Sequence, residues 1–164
     1  MDGGDVYGLD LSLDLVERLS ARHPDIGLLW FLLQPLHRSP EHESRMCARA
    51  AEAPLASHVL LVPASGPMHN AYALADVVLR PTATDGDPLT VREAHAAGVP
   101  TLVSDACPRP AQCKVFSPRN VEAMEASLEP MLENLQAARA RVAGTPAPLG
   151  PEAILEVLAK LLPR

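Results

Sequence analysis

The stretch ADVVLRPTATDGDPLTVREAHAAGVPTLVSD, residues 75–105, decides the fold. Asp76 to Arg80 is a Val- and Leu-rich run that reads as a strand, and Pro81 ends it because proline supplies no ladder donor. Pro81 to Pro88 is a loop built around an Asp-Gly turn pair. Asp87 or Thr90 starts a helix, with Pro88 pre-set for a first helical position, and Gly98 ends it. Pro100 to Ser104 is apolar again and reads as the next strand. Strand, helix and strand in this order make a parallel crossover, which is right-handed. Ligands in such sheets bind beyond the carboxyl ends of the strands, where the Pro81–Pro88 loop lies.

The same alternation extends in both directions. Leu11, Leu15, Val16 and Leu19 share one helical face, with Asp10, Asp14, Glu17 and Arg18 opposite. Ile26 to Leu33 is continuously apolar, as suits a central parallel strand. Ser39 to Ala53 is polar, with Ser39 as N-cap and Pro40 at the first helical position. His58 to Val62 reads as a strand, Gly66-Pro67 opens a short helix to about Ala75, and Val115-Phe116 is a further short strand. Val121, Met124, Leu128, Met131 and Leu135 recur at helical spacing with a clear burial face. The expected fold class is α/β: Rossmann-like, three-layer α/β/α, with a mostly parallel sheet covered on both sides. Residues 1–142 form the domain, 143–150 a Pro/Gly linker, and 151–164 a final helix that buries Ile154, Leu155, Leu158 and Leu162 against it.

Composition narrows the function. A chain of 164 residues fits one domain, and 48% hydrophobic with 21% charged residues describes a soluble globular protein. Net charge is −6, with Lys114 and Lys160 the only lysines and no basic run, which argues against nucleic-acid binding. The longest apolar run, Ile26 to Leu33, is too short to span a bilayer, and the acidic N-terminus does not read as a signal peptide. Cys47, Cys107 and Cys113 are odd in number and irregularly spaced, as suits reduced, inert thiols in a cytoplasmic protein. His37 and His42 flank Pro40 with no third ligand in view, so no metal site is expected. No Gly-x-Gly-x-x-Gly and no Walker loop is present, against a dinucleotide dehydrogenase or a triphosphatase.

The central segment suits a nucleotide sugar. A diphosphate wants backbone N–H groups at a helix N-terminus. Gly86 lets the backbone approach closely, Pro88 starts the helix, and the N–H groups of Leu89 and Thr90 with the Thr90 hydroxyl can face phosphate. Ribose hydroxyls want a carboxylate, and Glu93 lies about one turn into the helix. Asp85, at the start of the loop, can take hydroxyls of a sugar. Turn chemistry explains Asp85 and Asp87 as well, and a solvated helix position explains Glu93. His95 reads as a packed or surface histidine, and Arg80 as either a phosphate partner or a surface residue.

Residues 75–82, Asp85-Gly86-Asp87-Pro88, and 93–105 resemble the donor-binding half of GT-B glycosyltransferases, most closely the retaining group of family 4, the glycogen synthase and sucrose synthase relatives. That family carries a Glu, seven residues, then another Glu; here the acids are Asp85 and Glu93. Tyr7-Gly8-Leu9-Asp10-Leu11 is similar to its Lys-Gly turn into the first helix, His23-Pro24-Asp25-Ile26 to the turn before its second strand, and Asn120-Val121-Glu122-Ala123 to the start of the helix after the site.

The resemblance implies one half of a GT-B fold. Asp85 and Glu93 are its catalytic-site acids: Glu93 for ribose and Asp85 for donor-sugar hydroxyls. Gly86, Asp87, Pro88, Leu89 and Thr90 face phosphate, and Pro63 lies beside the base. The implied activity is hexosyl transfer with retention, from a UDP-, GDP- or ADP-sugar and with no further cofactor. The acceptor, a glycan or another group, would bind a missing N-terminal domain, without which the fragment would be inactive. The resemblance also admits peripheral membrane association of the full enzyme. Family members hold the diphosphate with an Arg and a Lys soon after the domain's first strand; that strand is not visible in this chain, and Tyr7 stands at the Lys position. The departure favours an alternative reading, a non-catalytic Rossmann-like assembly module that has lost its donor site.

Overall fold

The computed structural model describes residues 5–32, 40–63, 68–86 and 88–146. The elements run α1 (Leu9–Ser20), β1 (Leu28–Phe31), α2 (Pro40–Ala50), β2 (Val59–Val62), α3 (Met68–Leu74), β3 (Val78–Arg80), α4 (Leu89–Ala96), β4 (Thr101–Ser104), β5 (Lys114–Phe116), α5 (Val121–Glu133) and α6 (Leu135–Ala140). All strand pairs are parallel, in the Rossmann-like manner the alternation predicts. The strands form two sheets, β1-β2 and β3-β4-β5. Val78 pairs with Thr101 and Leu102 with Lys114, so β4 is the middle strand of the larger sheet.

β4 is buried at every residue because both its faces are covered. Successive side chains of a strand point to opposite faces. Leu102 joins the α1 side chains Leu11, Leu15 and Leu19 and the α5 side chains Met124, Leu128 and Met131. Its neighbour Val103 packs with Val91 of α4 and with Cys113. The β1-β2 sheet is covered on one face, where Leu28 meets Leu9, Leu13 and Val16 of α1 with Ala50 and Leu55. Its other face leaves Leu29 and Leu60 exposed. Leu79 of β3 packs against both clusters and links the two sheets.

α1 is buried far more widely than its amphipathic pattern suggests, with Leu9, Ser12 and Leu13 buried beside Leu11, Leu15, Val16 and Leu19. The reason is its position over both sheets. Its N-terminus is closed by Asp5, whose Oδ1 accepts from the amides of Tyr7 and Gly8 (3.1 and 3.1 Å) and whose Oδ2 accepts from Leu9 and Asp10 (2.7 and 3.2 Å). A buried carboxylate here satisfies N–H groups that have no intrahelical partner and faces the positive end of the helix dipole. Along the surface, Arg18 of α1 and Arg22 in the turn after it pair with Glu122, Glu125 and Glu129 of α5.

Element boundaries differ locally from the sequence expectations. The strand expected from Ile26 starts later, at Leu28, because the Ile26 amide is turned back to the His23 carbonyl at 3.0 Å; its expected end at Leu33 lies outside the described residues. The helical run from Val121 to Leu135 is divided at Asn134 (φ −138°, ψ 67°), whose side chain accepts from Ala137 at 2.9 Å and so caps α6. α5 is capped in the same way by Asn120, which accepts from Ala123 at 2.8 Å. Replacing Asn120 with Ala is expected to lower stability by about 1 kcal/mol, read from the midpoint of urea unfolding. The N-cap expected at Ser39, the helix start at Gly66-Pro67, the linker beyond Pro146 and the final helix lie outside the described residues. Among the described residues, no helix is long and apolar enough to cross a membrane.

Candidate functional site

β3 ends in Arg80, and the chain then turns through Pro81 and Thr82, both buried, before reaching Asp85. Gly8 fixes this turn from the other side: a Cβ there would lie 2.4 Å from the Pro81 carbonyl oxygen, so only glycine allows the α1 entry turn to seat on the loop. The Ala83 amide donates to the Val6 carbonyl at 2.8 Å and completes the docking. A second loop, after β4, closes the opposite wall. Ser104 donates its hydroxyl to the Thr82 carbonyl at 2.6 Å, and the Cys107 thiol donates to the Gly86 carbonyl at 2.9 Å.

Asp85 sits where these loops meet, and donors surround its carboxylate. Oδ1 accepts from Arg80 Nη2 (3.3 Å) and the Gly86 amide (2.9 Å). Oδ2 accepts from Arg80 Nε (3.0 Å), Arg109 Nη1 (3.1 Å) and the Thr82 hydroxyl (3.2 Å). Arg109 is itself fixed, donating through Nε to the Ser104 carbonyl at 2.8 Å, and its side chain is 2% exposed. Burial works against ionisation of Asp85. The hydrogen bond and charge of Arg80, then Arg109 and the Gly86 amide, outweigh it and hold the carboxyl below its usual value. Its stabilising contribution is therefore complete above the ordinary carboxylate pKa and is lost as pH falls through the lowered one. Acid titration of Asp85→Asn, followed by unfolding midpoints, should show a shallower loss of stability on the acid side than the parent chain.

α4 starts at Leu89, one residue later than a first helical position at Pro88 requires. Pro88 is the N-cap: its backbone is extended (φ −74°, ψ 122°) and its carbonyl accepts from the Val91 amide at 3.1 Å. Leu89 is exposed, and Thr90 and Glu93 are partly so. Glu93 lies in the second turn, where its Oε2 accepts from the Tyr72 hydroxyl at 2.9 Å. Burial first, and then the Glu93 carboxylate, push the Tyr72 phenol well above its usual value. Tyr72 is thus a permanent donor, and α3 braces the carboxylate from behind. Glu93, Thr90, Leu89, Pro88, Gly86 and Asp85 lie on one continuous loop and helix at the carboxyl ends of β3 and β4. Pro63 follows β2, exposed at the end of the other sheet. Asp87 lies outside the described residues.

His95 turns the other way. It is buried, with Nε2 2.8 Å from the Thr101 hydroxyl and 3.9 Å from the Cys113 sulfur, and burial lowers its pKa, so it is a neutral packing residue. Tyr72, Thr82, Ser104 and Arg109 were not among the site residues expected from sequence. Arg109 stands alone between Pro108 and Pro110, and no spacing marks it; Tyr72, one of only two tyrosines, was the one available signal.

Comparison with known proteins gives the family. The model of glycosyl transferases group 1 matches residues 4–143. The chain belongs to the group 1 glycosyltransferases. No curated protein matches it in sequence. Among solved structures, this group 1 domain is similar to a glycosyltransferase from Rickettsia africae ESF-5 (14% identity, TM-score 0.74), covering 98% of this chain and 45% of that one. It is also similar to the C-terminal domain of a glycosyl transferase group 1 family protein from Francisella tularensis (13% identity, TM-score 0.70), covering 85% of this chain and 75% of that one. HepE from Anabaena, solved in complex with UDP, matches at 12% identity and TM-score 0.75 over 94% of this chain and 46% of its own. The group 1 chain therefore spans less than half of the Rickettsia and Anabaena proteins, and its fold is that of one Rossmann-like half of a GT-B glycosyltransferase.

Proposed function

We propose that this group 1 domain binds the donor of a sugar transfer, a nucleoside diphosphate sugar with UDP as its first candidate. The observation that carries the reading is Glu93, a carboxylate held by Tyr72 one turn inside α4, at the carboxyl ends of β3 and β4. A carboxylate offers about four acceptor positions, so the bond from Tyr72 leaves capacity for both hydroxyls of a ribose. The start of α4, with no side-chain cap from Pro88, presents Leu89 and Thr90 to phosphate. Gly86 and Asp87 complete that loop, Pro63 borders the base, and Asp85 contacts the sugar. The solved UDP complex of HepE, a protein of the same fold, supports the choice of uridine nucleotide.

In this reading the transferred sugar is a hexose moved with retention, the leaving phosphate assisting, so the site needs no strong general base. A glycan or similar acceptor and the second half of the cleft come from another domain, and this domain alone transfers sugar poorly. The discriminating experiment is calorimetric titration of the chain with UDP, GDP and ADP. Saturable binding that Glu93→Ala weakens supports the reading; equal binding by the variant removes the ribose role.

A second reading, a binding or assembly module without a donor site, is favoured by one observation. The α1 entry turn carries Tyr7, and the α1 N-terminus is filled by Asp5. Failure to bind any nucleotide sugar, with the circular dichroism of a folded α/β domain, would select it.

A further inference from the structure

Two guanidiniums converge on one carboxylate at the mouth of the site. The two arginines are not equivalent. Arg109 is sealed in, with a 2% exposed side chain, and donates also to Thr82 and Ser104. Arg80 is on the solvent side, 24% exposed, with its guanidinium carbon 5.7 Å from the centre of the Tyr7 ring. The Tyr7 ring gives this guanidinium a contact that does not depend on the carboxylate. Asp85 meanwhile is saturated: five donors converge on its two oxygens, so it has no acceptor position left for a hydroxyl.

We infer that Arg80 is an exchangeable latch, which leaves Asp85 for the diphosphate of an entering ligand and so uncovers the Asp85 carboxylate for the sugar beyond it. The inference rests on the donor-binding reading above and assigns that site its phosphate cation. A guanidinium matches phosphate oxygens as well as it matches carboxylate, so the exchange conserves paired hydrogen bonds. Arg109 and Thr82 stay on Oδ2 and keep the carboxylate aimed while Arg80 moves. Phosphate and sugar recognition are thereby coupled: the sugar contact forms only when phosphate is present.

The test is calorimetry of the full chain with inorganic pyrophosphate, uridine, UDP and UDP-glucose, for the parent, Arg80→Met, Arg80→Lys and Asp85→Asn, each checked by circular dichroism. Arg80→Met is expected to weaken pyrophosphate and UDP by roughly tenfold or more and to leave uridine unchanged. Arg80→Lys should restore part of the loss. Asp85→Asn removes the competing carboxylate and should strengthen pyrophosphate and UDP several-fold, while UDP-glucose loses its advantage over UDP. Pyrophosphate binding that is absent from the parent, unchanged in Arg80→Met or weakened in Asp85→Asn overturns the latch and makes the trio a structural brace. Because pyrophosphate has no ribose, the Arg80 result stands apart from that of Glu93→Ala, which tests the donor-binding reading itself.

Discussion

Glu93→Ala is expected to weaken UDP binding by about 2–4 kcal/mol, roughly 30- to 1,000-fold. The size follows from what is lost. Two ribose hydroxyls would donate to an ionised acceptor that Tyr72 holds in place from α3. Hydrogen bonds to charged groups are worth more than neutral ones, and a positioned acceptor loses little entropy on binding. The side chain is only partly buried, so the variant should fold. Glu93→Gln keeps the shape with a neutral acceptor and should fall between. Tyr72→Phe removes the brace but leaves the carboxylate and should cost UDP binding less than Glu93→Ala does. The linked observable is thermal stabilisation by UDP: the parent's unfolding temperature rises with ligand concentration, and that of Glu93→Ala does not until much higher concentrations. Equal affinity in parent and Glu93→Ala would show that the ribose lies elsewhere.

Gly8→Ala carries the largest expected loss of stability. Gly8 has φ +77°, and the added methyl would stand 2.4 Å from the Pro81 oxygen and 2.9 Å from its ring Cγ. A left-handed alanine costs about 1–2 kcal/mol, and overpacking typically adds about 1–3 kcal/mol. Together these are a large part of the 5–15 kcal/mol or so by which domains are stable. The internal control is Gly98→Ala. Gly98 has φ +75°, but nothing lies within 4 Å of its added Cβ, so it should lose only the conformational part. Urea unfolding of both variants reads the difference. The effect also reaches the site, because Pro81 leads into Thr82 and Asp85; UDP affinity should fall in Gly8→Ala and not in Gly98→Ala. Equal destabilisation of the two would mean that the α1 turn does not seat tightly on the loop.

Much of this was legible because the signals are local. The β3-loop-α4-β4 segment announces itself by Pro81, Pro88 and Gly98, and the structure places strand, helix and strand there within a residue or two. Parallel pairing followed from strands separated by helices. For His95 the sequence allows a packed or a surface position, and the structure decides for the packed one, with Val91 and Ala94 buried beside it on α4. The missing information is of two kinds. Single side chains acting on their own backbone moved boundaries: Asn134 caps a new helix and Pro88 takes the N-cap rather than the first turn. Distant residues made contacts no spacing encodes. Arg109 reaches Asp85 across 24 positions, and Tyr72 reaches Glu93 across 21. The arrangement of the five strands among the described residues as two sheets is likewise a property of long-range pairing. The two acids proposed for the site are named from type, spacing and resemblance; the groups that hold them, Tyr72 and Arg109, are not marked by any spacing in the sequence.

The central claim, that the face at the carboxyl ends of β3 and β4 receives a nucleoside diphosphate, is most directly tested by titrating the isotopically labelled chain with UDP and following its backbone amide resonances. The account predicts saturable shifts concentrated at Gly86, Leu89, Thr90 and Glu93, with Tyr72 and Thr82 next. Absence of saturable shifts, or shifts centred instead on the cavity between β5 and α5–α6 lined by Lys114, Met131 and Arg141, would contradict it.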